Sequence, residues 1–120
     1  MRVKSSVYFP ELAARAKVYR GRRFLYGVNV DVSGDGYMYP LSNEGGIDWG
    51  QGTRYSRKLA HVILMDFAGQ AVADTYACDF DDDFISCMPM QGFSMPGEAI
   101  KKWLEEKGKG HNRESICSKI

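Results

Sequence analysis

Apolar and polar positions divide the chain into a β-rich first third and a helical remainder. Val18 and Tyr19 read as a short strand interrupted by Gly21-Arg22-Arg23. Then Phe24, Tyr26, Val28, Val30 and Val32 alternate with Leu25, Gly27, Asn29 and Asp31, the period of two that puts successive side chains on opposite faces of a strand. Ser33-Gly34-Asp35-Gly36 is a turn cluster and Tyr37-Met38-Tyr39 resumes β-favouring residues, so Val28 to Leu41 reads as a hairpin. Pro40 places its second arm at an edge or a strand end, because proline cannot donate to a ladder.

After residue 52 the period changes. Tyr55, Leu59, Val62, Ile63 and Phe67 recur at three- and four-residue intervals behind Thr53, whose hydroxyl can accept from the first-turn N–H groups, and Gly69 is a natural stop. Ala73, Ala77, Phe80, Phe84 and Cys87 form a second stripe, ended by Met88-Pro89. A third helix follows Ser94, with Pro96 in its first turn, Ile100, Trp103 and Leu104 as its stripe, and Gly108 as its end. Strands preceding helices, rather than alternating with them, predict an α+β fold. A small antiparallel sheet over about residues 17–41 is covered on one face by helices over about 53–68, 70–88 and 95–107. Residues 1–16 read as an extension with a short helix after Pro10, 17–108 as a single domain, and 109–120, polar and aperiodic, as a mobile tail.

Composition narrows the function classes. The 120 residues suffice for one core, and 44% hydrophobic with 26% charged residues is the balance of a water-soluble domain. Leu59 to Gly69, the longest mostly apolar run, contains His61 and Asp66 and is too short to span a bilayer. The N-terminal ten residues lack the apolar core and cleavage site of a secretory signal. Three cysteines, Cys78, Cys87 and Cys117, show no C-x-x-C spacing, which fits free thiols in a reducing cytoplasm and neither a disulfide framework nor a zinc site. A net charge of +1 conceals an asymmetry. Residues 1–23 carry Arg2, Lys4, Arg15, Lys17, Arg20, Arg22 and Arg23 against Glu11, while residues 66–83 carry six aspartates and no base.

Three constellations invite a chemical reading. Gly45-Gly46-Ile47-Asp48-Trp49-Gly50-Gln51-Gly52 precedes a helix, as phosphate cradles do. It has neither the G-x-x-x-x-G-K-[ST] nor the G-x-G-x-x-G pattern, so Gly50 and Gly52 are expected to let the chain turn while Trp49 packs between sheet and helix. Asp74, Asp79, Asp81, Asp82 and Asp83 lack the glycine-turn spacing of a calcium loop and read as a solvated or partner-binding acidic face. Arg20, Arg22 and Arg23, with aromatic neighbours, read as a basic face able to touch nucleic acid or acidic protein. His61, His111 and the cysteines form no triad pattern. No catalytic residue, metal ligand or cofactor site is expected.

Tyr19-Arg20-Gly21, the strand around Val28-x-Val30, Trp49-Gly50-x-Gly52 leading to Leu59-Ala60, and Ile100-x-x-Trp103-Leu104 together resemble a family of small bacterial and phage domains of unknown function. That family's pattern is Y-R-G, a V-x-V hairpin, W-G-Y-G-G-S-G-P, an L-A-rich helix and a W-L helix. The likeness runs from Tyr19 to Leu104. It departs at Gln51, in place of tyrosine, and at Thr53-Arg54-Tyr55-Ser56, in place of G-S-G-P. The resemblance implies a phage or mobile-element protein with an anti-defence role, such as an anti-CRISPR inhibitor docking on a host protein or ribonucleoprotein complex. The alternative it leaves is a small nucleic-acid-binding accessory or regulatory protein.

Overall fold

A computed structural model describes residues 16–41 and 46–108; the helix expected after Pro10 and the tail at 109–120 lie outside them. The fold is α+β. Strands β1 (Val18–Phe24), β2 (Gly27–Gly34) and β3 (Tyr37–Pro40) are followed by helices α1 (Arg54–Ala68) and α2 (Gln70–Asp83). A 3₁₀ turn (Ile85–Cys87), strand β4 (Gly92–Pro96) and helix α3 (Gly97–Lys107) complete it. The sheet is antiparallel throughout, in the order β3-β2-β1-β4.

Two features depart from the sequence expectation. The alternation from Phe24 to Val32 is not one strand: the chain reverses at Leu25-Tyr26, with Phe24 paired to Gly27. A two-residue reversal puts residue 24 opposite residue 27, which shifts the facing of everything before it by one. Phe24 therefore lies on the face opposite Val30 and Val32. Gly21 interrupts nothing; it sits inside β1 opposite Phe93, whose ring fills the space a Cβ would need. The second feature is β4 itself, which takes Gly92 to Pro96 where the third helix was expected to begin.

Inner-face residues Tyr19, Val30, Val32 and Met95 join Leu59, Ile63 and Leu64 of α1, Phe80 of α2 and Ile100 of α3 in one buried core. Thr53 caps α1 as its position suggests: its hydroxyl accepts from the N–H groups of Tyr55 and Ser56 (3.1 and 3.3 Å), and Ser56 Oγ accepts from Thr53 N–H (2.9 Å). Gly69, at φ +99°, ends α1 and starts α2 with no further loop. The α2 helix stops at Asp83, short of the expected residue 88. Three consecutive aspartates are poor helix formers, and they place negative charge at the negative end of the helix dipole. Trp103 bridges α3 to α2, its ring 5.1 Å from that of Phe80 and 6.0 Å from that of Phe84.

Both sheet edges are closed by a proline at the same kind of position. Leu41 N–H donates to Val30 and Gly97 N–H to Lys17, so in each ladder alternate residues bond inward, and Pro40 and Pro96 fall at the outward-facing positions between them. No ladder bond is lost, and neither edge presents an N–H there to another strand.

Candidate functional site

The tryptophan loop folds as a junction. Trp49 is fully buried, donates from Nε1 to the Pro89 carbonyl (3.0 Å), meets the Phe93 ring edge-on at 4.9 Å and carries the Arg23 guanidinium over its face at 4.9 Å. Arg23 also binds Asp48 (2.7 Å) and the Met90 carbonyl (2.6 Å). Gly50, at φ +89°, is required: a side chain there would meet Met90 and the Met88 carbonyl. Gly52 has no such φ and only an ordinary approach to Ser86. The N–H groups that open α1 are engaged by Thr53 rather than aimed at an anion.

The five aspartates do not form one exposed face. Asp79 and Asp81 are buried. Asp81 accepts from Ser86 Oγ (2.7 Å) and lies 3.9 Å from Arg57 Nε. Lys107 reaches both Asp79 (3.8 Å) and Asp83 (3.5 Å), and Asp83 also accepts from Trp103 Nε1 (2.8 Å). Asp74, on the exposed side of α2, pairs with His61 (2.8 Å). Most of this charge therefore ties α2 to α1 and α3. Asp82 has no cation within ion-pair distance among the described residues. Burial, with the negative field of Asp81, Asp79 and Asp83, holds its carboxyl above the ordinary range. No group of three or more His, Cys, Asp or Glu side chains among the described residues is arranged to hold a metal ion. Cys78 is half-buried; Cys87, expected on the apolar stripe, is exposed because α2 has ended before it.

A polar node that sequence reading missed gathers around Asp66. Its carboxylate accepts from Tyr19 (2.6 Å), Tyr39 (2.6 Å) and Lys17 (3.1 Å), tying α1 to β1 and β3. Burial would push this carboxyl up, but the three donors outweigh burial and hold it below its usual value. Burial and then the Asp66 bond push both tyrosines up. Lys17 is also raised, since its bonds to Asp66 and Tyr39 outweigh the opposing effect of burial. Each shift reinforces the charge state that the group already has at neutral pH. A general acid or base needs the opposite, a value drawn toward the working pH. The node is a clasp; its signal, an aspartate within an apolar helical stripe, was visible at position 66.

What remains is the outer sheet face. Arg20 and Arg22 are exposed on it; Arg20 pairs across the ladder with Asp31 and Ser94, and Arg22 with Asn29 and Gly92. Neither arginine forms an ion pair or side-chain hydrogen bond among the described residues, whereas Arg23, on the inner face, is committed to Asp48 and Trp49. Met38 is 66% exposed on the same outer face near the β2–β3 turn, and at the opposite end of the sheet the β1–β2 hairpin tip exposes Phe24, Leu25 and Tyr26 at 52%, 88% and 95%.

Residues 19–106 match the profile of a family of unknown function (DUF6166), and the chain belongs to that family. No curated protein and no solved structure matches it. No helix among the described residues is long and apolar enough to cross a membrane.

Proposed function

We propose that this member of the DUF6166 family is a non-enzymatic binding protein that docks on a nucleic-acid-handling protein or ribonucleoprotein complex through the outer face of its sheet. The observation that carries the reading is the pair Arg20 and Arg22, two guanidinium groups unengaged among the described residues, on a sheet face that no described helix covers and that also exposes Met38. By contrast, Asp66 with Tyr19, Tyr39 and Lys17, and Asp79, Asp81 and Asp83 with Arg57 and Lys107, are engaged within the fold. A complex that handles nucleic acid offers both phosphates for arginine and apolar protein surface for methionine. The resemblance to bacterial and phage domains carries the finer reading, an anti-defence inhibitor of the anti-CRISPR kind acting in the host cytoplasm.

A second reading, direct binding of single-stranded nucleic acid, draws on the same arginines and the nearby exposed Phe24 and Tyr26. The two separate in one experiment. The Arg20→Gln/Arg22→Gln variant and an Asp74→Asn/Asp82→Asn variant are compared with wild type for inhibition of a purified RNA-guided nuclease complex and for binding to bare single-stranded DNA and RNA at low and high salt. The docking reading expects loss of inhibition in the arginine variant and weak binding of bare nucleic acid by every form. Salt-sensitive binding to bare strands, abolished only in the arginine variant and without any inhibition, would replace it with the second reading. The aspartate variant uses only carboxylates that are not buried, so it reports on docking through α2 without unfolding the chain.

A further inference from the structure

The molecule carries a protruding apolar knob and an apolar hole. The knob is the β1–β2 tip. Its last β1–β4 pair is Arg22 with Gly92, so Arg23–Phe24 and Gly27–Val28 extend past the edge of β4. At the end stand Leu25 and Tyr26, 88% and 95% exposed. The strand twist favours Asn-Gly or a similar pair in a two-residue reversal. This chain instead places two large apolar residues there, both at negative φ. Three consecutive exposed large hydrophobics on so small a domain mark a contact.

The hole is a groove of about 570 Å³ along the free side of β4, lined by Phe84, Cys87, Met88, Phe93, Met95 and Ala99. It opens between β4, the end of α2 and the start of α3. The charges match in sign. The arm leading to the tip carries Arg20 and Arg22, unengaged among the described residues, and the α2 end of the groove carries the aspartate run. Asp83 lines the groove and is held by Lys107 and Trp103, while Asp82 beside it, whose carbonyl accepts from the groove residue Cys87, has no cation in ion-pair reach among the described residues.

We propose that the hairpin tip of one copy seats in the β4 groove of a second copy, Leu25 and Tyr26 filling the apolar space and Arg22 meeting the carboxylates at the end of α2. The occupant is a second copy because this chain supplies both the shape and the charge that the groove and the tip each lack. The prolines at the sheet edges are consistent with this mode, since they disfavour the competing edge-to-edge pairing of strands. The contact needs no other partner for its test, although Arg22 serves it as well as the proposed docking face.

Sedimentation equilibrium of the full chain across a concentration series into the millimolar range should show the mass rising toward twice that of the chain. Leu25→Ser/Tyr26→Ser should weaken association at least tenfold, the scale of losing two buried apolar side chains, with the circular dichroism spectrum unchanged because both residues are exposed in the single copy. Leu25→Cys in a Cys78→Ser/Cys117→Ser background leaves Cys87, in the groove, as the only native thiol it can meet. Mild oxidation with copper phenanthroline should then give a cross-linked species linked through residues 25 and 87, and none when Cys87→Ser is added. Mass that stays at one chain throughout, association indifferent to the tip substitutions, or cross-links joining 25 to 25 would each overturn the proposal. So would flotation of a monomer with phosphatidylcholine–phosphatidylglycerol vesicles that is lost in the Leu25→Ser/Tyr26→Ser variant, which would assign the tip to a bilayer.

Discussion

Trp49 shows how much one residue can hold together. It touches β1 through Arg23, β4 through Phe93 and the chain just before β4 through Pro89, so β1 and the stretch running into β4, far apart in sequence, meet on one indole. Removing it leaves a cavity, an unpaired Pro89 carbonyl and a guanidinium without its ring. Trp49→Ala is expected to cost about 3–5 kcal/mol, the range for large buried aromatics. Urea denaturation checks it: an unchanged midpoint, with any binding lost, would make Trp49 a contact residue instead of a core one. The two glycines beside it differ in kind. Gly50 occupies a conformation that side chains avoid, whereas Gly52 does not, a distinction that the repeated G-x-G spelling conceals.

At the scale of elements, the hairpin tip is where local preference and structure disagree most. Replacing Leu25-Tyr26 with Asn-Gly installs the pair that a primed turn favours and removes two exposed apolar side chains. That substitution is expected to raise stability by roughly 0.5–1 kcal/mol, as surface optimisation commonly does, while abolishing self-association. A fall in melting temperature would show that Leu25 and Tyr26 support the fold of the single chain. The same disagreement explains what could be read in advance. The α1 helix, its Thr53 cap and its Gly69 stop were legible because capping and periodicity are local and agree. The reversal at 25–26 was not, because no turn residue marks it and the apolar alternation runs unbroken through it. The five residues of β4 carry only Phe93 and Met95 as signal, and their strand state comes from pairing with β1. The burial of Asp79 and Asp81 was equally invisible, since their partners Lys107, Arg57 and Ser86 are brought near only by the packing of helices on one another.

For the molecule as a whole, the Asp66 clasp couples the helical layer to the sheet, because Asp66 belongs to α1 and Tyr19 and Tyr39 belong to β1 and the edge strand β3. Its response to pH follows from the directions of the shifts. Asp66 has a folded-state value below the unfolded one, so its contribution is complete above the ordinary carboxylate value of about 4 and is lost as pH falls through the folded value. Lys17, Tyr19 and Tyr39 have folded-state values above the unfolded ones. Their contributions are complete below about 10 and decline as pH rises past it, because the unfolded chain releases protons that the folded chain retains. Asp66→Asn keeps the side chain's shape but removes the charge and one acceptor, at an expected cost of about 1.5–3 kcal/mol near neutral pH, the range for hydrogen bonds to a charged group. The difference between wild type and Asp66→Asn should therefore be widest between about pH 5 and 9 and narrow toward both extremes, as the wild-type clasp is neutralised on one side and its donors deprotonate on the other. Urea midpoints for both proteins across that range test it directly. A gap that stays constant from acid to alkali would mean that Asp66 acts through shape alone and that its charge does not hold the helix to the sheet.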